Sequence, residues 1–413
     1  MKASFPGWRP CLSALLIVLP RSAAMYPAYL LGNGLLVDLG LSQRRAYGCL
    51  ALIVGWLLLA YLIQSATGAV LSPTALLLEL LLVAPFLLFV SGFSPGVSAR
   101  DALWMLRAIN LACLLLSLAS YLGQGFPAKL PYVDFSADYY WAAYGWGGAR
   151  IVTVLGFTGL LLEAAARGPS LLRTVAWSLV PAANFILPSY NFGILIGLVA
   201  LGFLARRRPL LLLGTVLLAA PAIYYALVVR LASVNNTLYA IYGVPPKVLA
   251  YGLVADIYRG EPLTLLTGTG LGQFLSRPQQ WCTEAVRLKR DPVQLPGLFT
   301  SSFYVDYFGP VLSHFQEHPR MMVSTLNKPY AGLSNLLAET GLAALVLVAL
   351  FVRRAWALCR RHPLALVFFA FYAGLVVVEP WLDDLWLGYA LLLVTAYFSA
   401  EAPVEASSGA TPP

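Results

Sequence analysis

Apolar runs near the length of a bilayer core constrain this chain more than any other feature. A helix needs about 20 predominantly apolar residues to cross the hydrocarbon. By that measure, crossing segments fall at roughly 46–63, 74–93, 102–121, 150–167, 171–187, 189–205, 210–229, 330–352, 364–380 and 384–400. The first forty residues are broken by Pro20, Arg21, Pro27, Gly32, Gly34 and Gly40. They supply two short crossings or one broken one, so the total is twelve or eleven. Only 11% of the 413 residues are charged, 60% are hydrophobic and mean hydropathy is +0.76. Soluble domains carry about 25% charged residues. The expected fold is therefore all-α, a polytopic transmembrane helical bundle.

The formal net charge of +9 does not point to nucleic acid, because the excess is gathered in short clusters between apolar runs. These are Arg44-Arg45, Arg100, Arg167 with Arg173, Arg206-Arg207-Arg208, and Arg353-Arg354 with Arg360-Arg361. They fall on alternate loops, and all can be cytoplasmic at once, as the positive-inside rule requires. The 122–149 loop, the 230–329 loop and the 379–384 turn then lie together on the outer face. The expected layout is 1–229 as helices with the aromatic loop, 230–329 as a large periplasmic loop with short helices, 330–400 as C-terminal helices, and 401–413 as a cytoplasmic tail. Residues 11–19 read as a first membrane element rather than a cleaved signal, since apolar sequence resumes after Ser22-Ala23-Ala24. Of five cysteines only Cys282 lies in the large loop, so an intraloop disulfide and a zinc pattern are both absent from that segment.

Chemistry is expected in the polar stretch 230–329. Residues 247–258 read as an amphipathic helix lying at the membrane interface, with Val248, Leu249, Tyr251, Leu253, Val254 and Ile257 on one face. A glycine knot follows, Thr267-Gly268-Thr269-Gly270-Leu271-Gly272-Gln273-Phe274. It lacks the lysine of a phosphate-binding loop and a preceding βαβ pattern, so its glycines are read as serving a tight turn and close backbone approach. Residues from 277 to 329 read as irregular. In the 122–149 loop, Phe135, Tyr139, Tyr140, Trp141, Tyr144 and Trp146 form either an interfacial aromatic belt or a stacking surface for sugar rings. Asp134 and Asp138 in that loop could meet a divalent ion but have no third ligand nearby. His314 and His318 share a helical spacing without a metal motif, and Pro310 and Pro319 bracket them. Inside the apolar runs Glu79, Arg107, Asn110, Glu163, Asn184 and Glu339 stand out. Arg107 and Glu163 sit near cytoplasmic ends, where long side chains snorkel. Arg150 instead caps a helix at the outer face.

Three motifs in order carry a resemblance. Lys247 stands four residues ahead of Tyr251; the glycine knot follows; Leu336-Leu337-Ala338-Glu339-Thr340-Gly341-Leu342 then opens a helix. Together with Ser189-Tyr190-Asn191-Phe192-Gly193 at the outer end of an earlier helix, the layout resembles the O-antigen ligase/polymerase family of bacterial membrane glycosyltransferases. The motifs span roughly 180–350, and the topology spans the whole chain. Here Lys247 replaces the family arginine, Tyr190-Asn191 replaces a Ser-Arg motif, and no histidine occurs between His318 and His362. Ligases usually carry a histidine shortly before the Glu-x-Gly helix, so the resemblance favours a polymerase.

The resemblance implies a GT-C-like bundle in the bacterial inner (plasma) membrane with a periplasmic active face. It implies a polyprenyl-diphosphate-linked oligosaccharide as substrate, the lipid bilayer as surroundings, a chain-length regulator as partner, and neither cofactor nor metal. Bidentate cationic contacts suit the departing diphosphate. Arg150, Arg230, Lys247 and Arg259 are the expected clamp, with Asp306 and His318 as candidate bases. Tyr139, Trp141, Tyr251, Gly268, Gly270, Gly272 and Tyr330 are expected to line the substrate. The alternatives are a ligase acting on lipid A core or protein, a lipid-linked glycan flippase or transporter, and a metal-dependent transferase using Asp134 and Asp138.

Overall fold

The computed structural model describes residues 7–19, 25–123, 148–166, 171–186, 190–205, 243–244, 246–279, 300–317, 330–379, 382 and 384–400. Among these the architecture is all-α, with no strand and with an isolated antiparallel bridge between Val37 and Pro95. The helices are α1 Trp8–Val18, α2 Tyr26–Gly34, α3 Arg44–Ala66, α4 Pro73–Leu82, α5 Ala84–Ser91, α6 Ala99–Gly123, α7 Gly148–Ala165, α8 Leu171–Ile186 and α9 Asn191–Ala205. They continue as α10 Pro246–Gly260, α11 Thr264–Thr267, α12 Gly309–Glu317, α13 Gly332–Thr340, α14 Ala343–Cys359, α15 Pro363–Val378 and α16 Leu385–Ala400.

Helix α16 is the axis of the main core. Every residue from Leu385 to Phe398 is buried, because α2, α5, α6 and α7 pack around it. A helix that is apolar on all sides needs such cover. At the other extreme, only Ala46, Leu57, Ala60 and Gln64 of α3 are buried. Leu52 and Leu62 of the same helix are 77% and 61% exposed. Helices Leu41–Ala66 and Ala99–Ala119 are long and apolar enough to cross a membrane, and the bent pair α4–α5 makes a third if it is one span. The other apolar helices are shorter than the twenty or so residues expected. Helix α16, with 16 residues, rises about 24 Å against a hydrocarbon core of about 30 Å.

Two expected continuous segments are broken. The 74–93 run bends by 57° between α4 and α5. Pro85 lies in the first turn of α5 and cannot donate the bond that would continue α4. The 330–352 run is interrupted at Gly341, which has φ +57°, a conformation that ends a helix. Leu342 N then donates to the Leu265 carbonyl at 2.9 Å, tying the break to α11.

The polar stretch has a small core of its own. Leu249, Leu253, Val254 and Ile257 of α10 pack with Phe274, Leu275, Phe303, Tyr304, Phe308, Val311, Tyr330 and Ala338. The expected interfacial helix therefore exists, but it turns this face to protein rather than to lipid. Val248, placed on that face from sequence, is 53% exposed. Residues 302–317, expected to be irregular, are helical, with a π-helical turn Tyr304–Phe308 leading into α12.

Candidate functional site

Three segments far apart in sequence meet at the turn after α15. Glu379 follows the last residue of α15 and is completely buried. Arg150, in the first turn of α7, places Nη1 3.3 Å from Glu379 Oε2. Lys247, in the first turn of α10, places Nζ 3.7 Å from Glu379 Oε1. The two cationic side chains are 18% and 15% exposed, against 0% for the carboxylate. Lys247 Nζ also donates to the Tyr330 carbonyl at 2.8 Å. Tyr251, one turn further along α10, donates its hydroxyl to the Val377 carbonyl at 2.8 Å. Burial pushes the Tyr251 phenol above its ordinary pKa, which keeps it a donor. Gly332 N, at the start of α13, donates to the Glu379 carbonyl at 2.8 Å. Five residues on, Asp384 accepts from Trp386 N at 3.0 Å and so caps α16. Its other oxygen lies 3.1 Å from Arg277 Nη2. Arg150 and Lys247 thus meet Glu379, and Arg277 meets Asp384, near one set of helix ends.

The glycine knot is built into the protein through α13. Glu339 lies at the end of α13, not at the opening of a helix as expected. Its carboxylate accepts from Gly272 N at 2.9 Å and Phe274 N at 3.0 Å. Thr269 N and Gly270 N donate to the carbonyls of Ala338 and Glu339 at 2.8 and 3.2 Å. Gly268, Gly270 and Gly272 have φ of +71°, +95° and +80°, which glycine adopts without the steric cost of a side chain. A Cβ on Gly272 would overlap the Ala75 carbonyl of α4. Gln273 pairs with Ser72 as a backbone would, its Oε1 accepting from Ser72 N at 2.8 Å and its Nε2 donating to Ser72 O at 2.9 Å. Gln64 of α3 donates to Thr267 Oγ1 and the Gly268 carbonyl at 2.7 and 2.8 Å. The knot is buried, and the amides named here are bonded to protein. Its part is to seat the stretch on α3 and α4, which matches the tight-turn expectation.

The expected site residues divide accordingly. Arg150, Lys247 and Tyr251 gather at the 377–379 turn. Tyr330 contributes its carbonyl, while its ring is 2% exposed and packs against Phe308 in the small core. Arg259 does not join them. About 18 Å of helical rise separates it from Lys247 on α10, and its side chain is 78% exposed beside Asp256. Asp306 is exposed in the π turn. It stands beside Tyr307, whose phenol is raised by burial and then by Glu261, Asp306 and Asp256. Arg230, His318, Tyr139, Trp141, Asp134 and Asp138 lie outside the described residues. Glu379, Arg277 and Asp384 were not singled out from sequence. The available signal was three acids, Glu379, Asp383 and Asp384, in a short turn between apolar runs, since acids need counter-charges when they are buried.

At the other end of α7 the expected snorkelling pair is a built ion pair. Arg107 Nη2 donates to Glu163 Oε2 at 2.7 Å and Nε donates to the other oxygen. The guanidinium lies 5.0 Å over the Trp177 ring. Asn184 donates to the Asn110 carbonyl at 2.7 Å and to Asn110 Oδ1 at 2.9 Å, which links α8 to α6.

Comparison of the chain with models of protein families, with curated proteins and with solved structures finds no match in any of the three.

Proposed function

We propose that the chain is a polysaccharide polymerase of the bacterial inner membrane. It joins polyprenyl-diphosphate-linked repeat units at the outer face of a GT-C-like polytopic bundle. The observation that carries this reading is the meeting of Arg150 and Lys247 on one buried carboxylate. Arg150 borders one segment that the arginine pattern assigns to the outside, Lys247 lies within the second, and Glu379 belongs to the third. The same turn receives the Tyr251 hydroxyl.

In the proposed reaction a hydroxyl of one lipid-linked unit attacks the anomeric carbon of the other. The new glycosidic C–O bond forms as the bond to the diphosphate breaks. The electron pair leaves with the polyprenyl diphosphate, and the hydroxyl proton passes to a base. Arg150 and Lys247 stabilise the charge gathering on the leaving group, and the small exposure of both side chains strengthens that interaction relative to water. Tyr251 and the Tyr330 carbonyl hold α10 and Lys247 in register with the turn.

The test is polymer length on gels from cells whose only copy of the gene carries Arg150→Ala or Lys247→Ala. Each is expected to slow polymerisation by about 100-fold or more, the usual effect of removing one transition-state donor. Arg259→Ala is expected to leave the ladder unchanged. Wild-type ladders from both Arg150→Ala and Lys247→Ala would remove the reading. Short single-unit products transferred to lipid A core, with no ladder even from the wild-type chain, would indicate a ligase instead.

A further inference from the structure

We propose that Glu379 is an internal counter-ion: it occupies the seat between Arg150 and Lys247 in the resting protein and yields it to a diphosphate. This rests on the reading of that seat as a lipid-diphosphate site. It adds a regulatory contact inside it.

The argument begins with a contrast within the chain. Arg107 and Glu163 form a two-bond pair with a 2.7 Å contact, within the range of strong charge-assisted bonds. Glu379 is more deeply buried than Glu163, yet its contacts are longer, 3.3 Å to Arg150 and 3.7 Å to Lys247. Its Oε1 receives no hydrogen bond among the described residues. The shorter bond of Lys247 goes to the Tyr330 carbonyl, at 2.8 Å. A buried carboxylate normally draws its partners close, because desolvation has to be offset. Here two cations share one carboxylate, at contacts longer than those of a strong charge-assisted bond. A diphosphate offers more charge and more acceptor oxygens than a carboxylate, and can reach both cations together.

The backbone at Glu379 is held independently of its side chain. Glu379 N donates to Leu375 O at 2.7 Å, and its carbonyl accepts from Gly332 N at 2.8 Å. The main chain is held on both sides, so in this proposal it is the side chain, and not the backbone, that moves. The carboxylate also keeps the two cations from repelling each other while no substrate is bound. Competition for the same two cations makes the carboxylate and the diphosphate mutually exclusive, and the coupling is reciprocal.

The test measures binding of farnesyl diphosphate and of inorganic pyrophosphate to the purified full-length protein in lipid nanodiscs, by calorimetry. Wild type, Glu379→Gln, Glu379→Asp and Arg150→Ala are compared, each checked for a cooperative melt. Glu379→Gln keeps the shape and removes the competing charge. It is expected to tighten both probes by about tenfold, within the usual range of a coupling between sites. Glu379→Asp draws the carboxylate back by one methylene and is expected to tighten them less. Unchanged or weaker binding by a folded Glu379→Gln protein overturns the proposal. If that variant does not fold, the sign of the Glu379→Asp change decides in the same way. Wild type that binds, Arg150→Ala that does not, and no gain at Glu379 would remove the counter-ion alone. No binding of either probe by wild type and by Glu379→Gln would remove the diphosphate seat itself, and the counter-ion with it.

Discussion

Gly272 is a position where one added methyl group meets backbone. Its φ is +80° and the Cβ site is filled by the Ala75 carbonyl. Gly252, in the middle of α10, has open space where a Cβ would lie. Gly272→Ala is therefore expected to lower the melting temperature or abolish folding. Gly252→Ala is expected to stabilise by about 0.5–1 kcal/mol, the helix preference of Ala over Gly. Melting curves of the two variants check this pair. Glu339→Gln leaves only one amide oxygen for the two backbone donors of Gly272 and Phe274. Its expected cost is about 1–3 kcal/mol, that of an unsatisfied buried group. At Tyr307 the sign is also fixed. Three carboxylates raise its phenol beyond the effect of burial, so Asp306→Asn should lower its titration midpoint toward the ordinary value, read by ultraviolet difference absorbance. The glycine knot was legible in sequence because glycine at alternate positions has few uses other than positive φ. The acid that holds it was visible, but its location was not. Apolar periodicity runs through Gly341 without a mark, so Glu339 was expected to open a helix that it in fact ends.

Among the helices, α6, α7 and α8 are joined by polar contacts within an apolar bundle. Gly159 of α7 has the Pro181 ring and the Asn110 amide where a Cβ would be, at 2.7 and 2.8 Å. That close approach puts Arg107, Glu163 and Trp177 around one cleft. Removing one member of a buried pair leaves an uncompensated charge. Arg107→Ala should cost about 3 kcal/mol, at the low end for buried pairs because the arginine is 27% exposed. The double replacement Arg107→Met with Glu163→Leu should recover most of that loss. Thermal melts of the two variants test the expectation, and a double variant no better than the single would contradict it. Snorkelling was the natural reading from sequence, since each residue alone sits near a predicted helix end. The pairing depends on α6 and α7 running side by side, which no window along the chain contains. The bend at Pro85 was likewise inside a run that hydropathy reads as continuous.

At the scale of the molecule, the distribution of arginines sets an expectation. By the positive-inside rule it puts the 122–149, 230–329 and 379–384 segments on one side. Arg150, Lys247 and Glu379, one from or beside each segment, are in contact. The clamp as first drawn also included Arg259, and the helix itself argues against that. Lys247 and Arg259 stand near opposite ends of α10, too far apart for one small anion. Arg277 was passed over because it follows the glycine knot in a stretch without periodicity. Its buried place beside Asp384 comes from α13, which joins the knot to the 379–384 turn. The central claim is that Arg150 and Lys247 act on one group. A double-mutant cycle on the initial polymerisation rate tests it directly, using Arg150→Gln, Lys247→Gln and the pair. Residues that act as a unit are strongly non-additive. The account predicts that the double variant is scarcely slower than the slower single variant. A double variant slowed by the product of the two single effects would mean that the two cations work apart, and would contradict it.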